Sequence, residues 1–124
     1  MMTPLIQVAL GGAIGASLRF LTVNAAARLL GTGFPFGTVT VNILGSFIMG
    51  LAAVFLLEHM PRYMPLVMTG VLGGFTTFSA FSLDAVSLYE RGELGLAALY
   101  VIMSVSGAIL ALFAGLLITR WFIS

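Results

Sequence analysis

The sequence predicts an all-α membrane protein with four transmembrane helices, the third of them broken in the middle of the membrane. Of its 124 residues, 60% are hydrophobic and 7% are charged, and the mean hydropathy is +1.18. An average soluble domain has about 45–50% apolar and about 25% charged residues. Four spans of about 20 residues account for most of the chain, which predicts a single transmembrane domain over residues 1–124. The break is predicted by paired glycines inside the third apolar run.

The composition also excludes several classes of function. The chain has no Cys and one His, which excludes a Cys-based zinc site, a redox dithiol and a disulfide framework. The single His59 lies in a predicted connector, with no nucleophile and base to form a catalytic group around it, so we predict that the chain is not an enzyme. A formal net charge of +1 provides no basic stripe, so we expect no nucleic-acid partner.

The first span is predicted over residues 5–23, directly after a proline that suits a helix start. Gln7, Gly11, Gly15 and Arg19 recur at every fourth position and therefore share one face. The small residues allow another helix to approach closely. A cation inside a membrane is costly, so Arg19 either faces protein or water as a functional group or extends to the nearby interface.

The second span is predicted over residues 38–57, after a connector rich in glycine and proline. Thr38, Asn42 and Ser46 fall on one face at helical spacing. The amide of Asn42 offers both donors and an acceptor. Inside hydrocarbon it must either bond to a neighbouring helix or line a hydrated path.

The third span, over residues 64–89, has the most informative pattern. Its glycines are followed by hydroxyl and phenylalanine side chains, in the order Gly70, Gly73, Gly74, Phe75, Thr76, Thr77, Phe78, Ser79, Phe81 and Ser82. This pattern predicts a helix that unwinds within the membrane, where freed backbone groups must bind something. The freed carbonyls could hold a cation. The phenylalanines either pack in the ordinary way or turn their weakly positive ring edges toward an anion.

The fourth span is predicted over residues 94–118, and Arg120 and Trp121 follow it as an interfacial anchor. Tyr100 and Ser104 lie four residues apart and therefore on one face. They either extend a polar track or form bonds between helices. An even number of spans places both termini on one side of the membrane.

The arginines are divided almost evenly between the two sides. Arg62 and Arg120 lie on the side of the termini, whereas Arg28 and Arg91 lie on the other. Because the orientation of a membrane protein follows the bias of Lys and Arg between its short loops, the charge distribution of this chain does not strongly favour either orientation. We predict dual topology, in which copies insert in both directions and pair as an antiparallel homodimer. The alternative is that helix hydrophobicity alone selects one orientation.

Three ordered motifs resemble those of the Fluc (CrcB) fluoride channel family over essentially the whole chain. They are residues 11–16 with Arg19, residues 37–45 and residues 73–82. The resemblance implies a fluoride-selective channel that exports fluoride passively from the cytoplasm. It also implies two pores, each lined by both subunits of an antiparallel dual-topology homodimer in the lipid bilayer of a prokaryotic plasma or inner membrane.

The resemblance also implies roles for individual residues. The residues of the anion pathway would be Phe78 and Phe81, through their ring edges, and Thr38, Asn42, Ser79, Tyr100 and Ser104, through polar groups. Arg19 would lie toward the aqueous vestibule. The carbonyls of Gly73 and Thr76 would hold a structural sodium ion at the dimer centre. The chain departs from the family pattern at Ala108, where the hydroxyl track could continue, and at Asp84, where a glutamate is common.

Two other functions fit part of the sequence. A four-span dual-topology exporter of small molecules or cations has a similar length, but it needs a carboxylate within the membrane. Only Asp84, near the end of the third span, comes close to this requirement. A subunit of a larger membrane complex would explain the small-residue faces but not the broken span. The chain has no nucleotide-binding motif and no evident proton relay, which favours a passive channel.

Overall fold

The computed structural model describes residues 3–123 and contains four segments that are long and apolar enough to cross a membrane. Helix α1 is Pro4–Leu30, α2 is Phe36–His59, the third segment is Pro61–Glu90, and the last helix is Leu94–Ile123. The four predicted spans are therefore confirmed. Each helix extends beyond its predicted apolar run, and α1 does so by about two turns.

The third segment is interrupted where the sequence predicts a break. It opens with a 3-10 turn, Pro61–Tyr63, and continues as α3, which joins a π-helical stretch, Pro65–Leu72, to one α-helical turn, Gly73–Phe75. Residues 76–78 are not helical, and Thr76 is extended with φ −87° and ψ 161°. Helix α4, Ser79–Glu90, completes the segment, and the last helix is numbered α5. The sequence did not predict the π-helical stretch.

The helices pack mainly in two pairs, α1 with α3 and α2 with α5. A Cβ atom on Gly115 of α5 would collide with the carbonyl oxygen of Phe47 in α2, so these backbones touch. The largest fully buried side chains are Val41, Leu88 and Tyr100, and most other large apolar side chains are exposed. Lipid solvates apolar side chains, so close packing and polar contacts hold such helices together.

The connector between α1 and α2 lies against the connector between α4 and α5. Nη2 of Arg91 donates to the carbonyl oxygen of Gly33 across 3.2 Å. Gly92 has φ +80°, a conformation that favours glycine and allows the tight turn into α5. This contact confirms that the two connectors share one side of the bundle, as four spans require.

Candidate functional site

Asn42 of α2 is bonded to the interrupted part of the third segment. Its Oδ1 atom accepts the backbone N–H of Thr77 at 2.7 Å, and its Nδ2 atom donates to the carbonyl oxygen of Thr77 at 2.9 Å. Both backbone groups of one non-helical residue are therefore satisfied by a single amide. Asn42 bridges two helices, which is one of the two roles that its position predicts, and it also lines a pocket.

The break leaves several backbone carbonyls without their helical donors, among them those of Gly73 and Thr76. In a continuous α-helix the N–H of Thr77 would bond to the carbonyl of Gly73, and the N–H of Ala80 to that of Thr76. The first N–H is donated to Asn42 instead, and the second is donated to the hydroxyl of Thr77 at 3.1 Å. Gly73 and Thr76 are the two residues predicted to hold a cation through their carbonyls.

A pocket of about 330 Å³ lies beside the break, between α2 and α5. It is lined by Asn42, Ser46, Thr76, Thr77, Phe78, Phe81, Ser104, Val105, Ala108 and Ile109. Ser104 is 4% exposed, and within residues 3–123 its hydroxyl oxygen has no hydrogen-bond partner. An unbonded buried hydroxyl is rare and costly, so its position on a pocket points to a ligand or water that would occupy that space.

Two of the three phenylalanines in the motif face this pocket. Phe78 and Phe81 line it with ring centroids 5.4 Å apart and planes tilted by 54°. Phe78 is 76% exposed, whereas Phe81 is 8% exposed and contacts Tyr100. Phe75 is also buried, but it lies against Gly45 of α2 and not on the pocket.

Asp84 joins three helices near one end of the pocket. Its Oδ2 atom accepts a hydrogen bond from the hydroxyl of Thr38 at 2.8 Å and another from the hydroxyl of Tyr100 at 3.0 Å. The role of Asp84, which the sequence left open, is therefore that of a shared acceptor for α2 and α5. Thr38 lies 46 residues from Asp84, so no local pattern could have indicated this contact.

These polar groups connect the Asp84 cluster with the pocket. Thr38 precedes Asn42, and Tyr100 precedes Ser104, by four residues, a distance of about 6 Å along the helix axis. Ala108 lies on the pocket one further turn along α5 and carries no hydroxyl. Ser79 is exposed, 3.3 Å from the Thr77 hydroxyl, and is not among the residues that line the pocket.

Arg19 lies on the other side of the break. Its Nε atom donates to the carbonyl oxygen of Gly74 across 3.0 Å, and the residue is half-buried. Arg19 therefore faces protein through this atom and does not simply extend to the interface. Among the residues described, no group of three or more His, Cys, Asp or Glu side chains could hold a metal ion.

Comparison with known proteins identifies the family. A protein named "Fluoride-specific ion channel FluC" from Cereibacter sphaeroides is 58% identical over 120 residues, which cover 97% of each chain. Proteins of the same name from Ruegeria sp. and Chelativorans sp. are 55% and 54% identical over 123 residues, with 97% and 94% of this chain covered. The match covers 97% and 95% of those relatives. The relatives are named as channels, which confirms the prediction that the chain is not an enzyme.

These bacterial relatives and the four apolar helices place the chain in the bacterial plasma membrane as a multi-pass protein. A family model described as "CrcB-like protein, Camphor Resistance (CrcB)" matches residues 6–116. This match covers most of the chain and includes the three motifs on which the resemblance rests. The chain belongs to the CrcB (Fluc) family.

Proposed function

We propose that the chain is a fluoride channel, as the names of its relatives indicate. The observation that carries the proposal is the pocket beside the break, where a buried, unbonded hydroxyl lies with an amide and two phenylalanine rings. Within the part of the chain that the structure describes, no charged side chain lines this pocket. Fluoride is small and strongly hydrated, so a path must replace its water with several weak donors and avoid one deep binding well.

Within this proposal each lining group has a role. The hydroxyl of Ser104 and the second N–H of Asn42 donate to the dehydrated ion. Phe78 and Phe81 direct ring edges, which carry partial positive charge, toward it. Thr38, Tyr100 and Ser79 extend the polar track on either side of the pocket, and Arg19 attracts anions at the aqueous vestibule.

The pore requires a second copy of the chain. Phe78 is 76% exposed although it lines the pocket, so one chain leaves this wall open to lipid. Closure by a second subunit would surround the ion on all sides. The near-equal division of arginines supports an antiparallel pair with a two-fold axis in the membrane plane, and such a pair has two pores.

A sodium ion fits at the centre of this dimer as a structural component. The carbonyls of Gly73 and Thr76 have lost their helical donors, and oxygen atoms of this kind are ligands for hard cations. Two chains related by a two-fold axis would contribute four carbonyls. The ion would neutralise the negative ends of two interrupted helices where they meet.

Transport is passive, and it exports fluoride whenever the electrochemical potential of fluoride is higher in the cytoplasm than outside. An exporter of cations or small molecules would need a membrane carboxylate that is free to exchange protons. Asp84 accepts hydrogen bonds from both Thr38 and Tyr100, which favours a structural or polar-track role over proton exchange.

Fluoride efflux from liposomes reconstituted with the purified protein tests the function. Potassium with valinomycin supplies the counter-current, and chloride is measured in parallel. We expect rapid fluoride release with negligible chloride release. Asn42→Asp should slow fluoride because it places a negative charge on the path. Absence of fluoride release from protein that elutes as a folded dimer would refute the proposed function.

A further inference from the structure

One face of α1 follows α3 from its first turn to its last. This face consists of Gln7, Gly11, Gly15 and Arg19, which recur at every fourth position, and we call it the α1 cradle. Its two polar residues contact opposite ends of α3, and its two glycines contact the middle. The order of contacts along α1 therefore matches the order of residues along α3.

The beginning of α3 is bonded to Gln7. The first N–H groups of a helix have no partner within the helix and must be satisfied from outside. The N–H of Leu66, in the first turn of α3, donates to Oε1 of Gln7 at 3.2 Å. A side chain from another helix thus provides the acceptor that a local capping residue usually supplies.

The middle of α3 lies directly on the backbone of α1. A Cβ atom on Gly15 would collide with the carbonyl oxygen of Val71 and would lie 2.9 Å from the backbone nitrogen of Phe75. A Cβ atom on Gly11 would lie 2.8 Å from the Cα atom of Gly70. These contacts fix the distance and the rotation between α1 and α3.

The end of α3 is bonded to Arg19. The last carbonyls of a helix lack partners and carry partial negative charge, which a cation stabilises. Because the helix stops at Phe75, the carbonyl of Gly74 has no helical N–H four residues later, and it accepts Nε of Arg19 at 3.0 Å. The neighbouring carbonyls of Gly73 and Thr76 remain those whose donors are diverted elsewhere.

We propose that Arg19 is a positioning residue that caps the end of α3 and thereby decides which carbonyls the break exposes. Gln7 fixes the other end, so the α1 cradle sets the position of the break along the membrane. The role uses Nε and leaves the outer nitrogens of the guanidinium group for the vestibule. Its consequence for conduction rests on the proposed function, but the bond itself does not.

Two substitutions separate the hydrogen bond from the charge. In Arg19→Gln the amide nitrogen occupies the chain position of Nε, so one donor is kept while the charge is lost. In Arg19→Met the length is kept without a donor. If Arg19 acts as a cap, Arg19→Gln should conduct fluoride about tenfold faster than Arg19→Met, the ratio expected for one hydrogen bond. Equal loss in both, with full activity in Arg19→Lys, would mean that only the charge matters.

Solid-state NMR on the full chain in liposomes tests the bond without reference to transport. Labelling glycine carbonyl carbons and phenylalanine nitrogens selects two peptide bonds, Gly33–Phe34 and Gly74–Phe75. Each of these glycine carbonyls accepts a hydrogen bond from an arginine: Gly33 from Arg91, and Gly74 from Arg19. Arg19→Met should shift the Gly74 signal upfield and leave the Gly33 signal in place, whereas Arg91→Met should do the reverse.

The Gly74 signal should stay near its wild-type position in Arg19→Gln. A Gly74 signal that is unchanged in Arg19→Met would overturn the proposal. Should the Met variant fail to fold, dephasing between labelled arginine Nε and the Gly74 carbonyl in the wild-type protein gives the same answer. Strong dephasing, as expected for hydrogen-bonded atoms, supports the cap, and its absence refutes it.

Discussion

Ser104 is buried and lines the pocket beside the break, and its hydroxyl has no hydrogen-bond partner among the described residues. Because its hydroxyl has no hydrogen bond to lose, Ser104→Ala should leave thermal stability unchanged or slightly higher. The same change should lower fluoride efflux about tenfold, since it removes one donor from the path. Thermal unfolding and liposome efflux of the same preparation measure the two effects.

Thr119 provides the matched control for Ser104. It is also a buried hydroxyl on α5, but it donates to the carbonyl oxygen of Leu51 at 3.1 Å and lies away from the pocket beside the break. Thr119→Val should therefore lower stability by about 1 kcal/mol and leave efflux unchanged. If Ser104→Ala conducts as fast as the wild type, Ser104 is not a donor to the ion.

The phenylalanines allow a similar separation of conduction from packing. Phe78→Ile and Phe81→Ile each remove a ring edge from the pocket, so both should abolish or severely reduce fluoride efflux. Phe75→Ile is the control, because Phe75 is buried but lies outside the pocket. It should lower stability by about 1 kcal/mol and keep conduction. Normal efflux in both pocket variants would reject the ring-edge role.

At the scale of the elements, the close approach of α1 and α3 depends on Gly15. In Gly15→Ala the new methyl group meets the backbone of Val71 and Phe75, which cannot move aside, so α1 and α3 must separate. We expect a loss of about 1–3 kcal/mol in the free energy of unfolding. Thermal or denaturant unfolding of the purified protein measures it.

Gly12 is the neighbouring control, because a Cβ atom there meets nothing within 4 Å. Gly12→Ala should keep or raise stability, by up to about 1 kcal/mol, since alanine favours the helix. Equal stability of Gly15→Ala and Gly12→Ala would show that α1 and α3 do not touch at this face.

The break itself could be predicted from the sequence, because paired glycines and residues with hydroxyl side chains have a low helix propensity, whatever the helix packs against. Its partners could not be predicted in the same way. Thr77 is bonded to Asn42, 35 residues earlier, and Gly74 to Arg19, 55 residues earlier. Such contacts depend on which helices lie side by side, and no local spacing contains that information. The π-helical stretch of α3 lies against α1, which is another contact that local spacing does not contain.

At the scale of the whole molecule, apolar length alone predicted four spans, since a membrane requires about 20 apolar residues for each. Apolar length underestimated how far the helices extend, because a helix continues beyond the apolar run wherever polar residues still favour it, as Arg28 does in the last turn of α1. Orientation in the membrane depends instead on the small difference between the numbers of arginines on the two sides of the bundle. Changing that difference tests the predicted dual topology.

Dual topology predicts that two oppositely biased variants each lose function and recover it together. Leu29 and Leu94 are exposed at the end of the bundle that contains the α1–α2 and α4–α5 connectors. His59 and Met60 are exposed at the end that contains the termini. Arginines introduced at Leu29 and Leu94 should hold the α1–α2 and α4–α5 connectors in the cytoplasm. Arginines introduced at His59 and Met60 should instead hold the termini in the cytoplasm. Either variant alone would supply only one of the two orientations that an antiparallel dimer needs.

We therefore expect each double variant to give little fluoride efflux from cells, and coexpression of the two to restore it. Cysteines introduced near the termini should react from both sides of the membrane in the wild type, from one side in each variant, and from both sides on coexpression. Full activity of a variant whose cysteines react from one side only would mean that a single orientation is sufficient. In that case the arginine balance would say nothing about assembly, and the pore would have to be closed by a parallel partner.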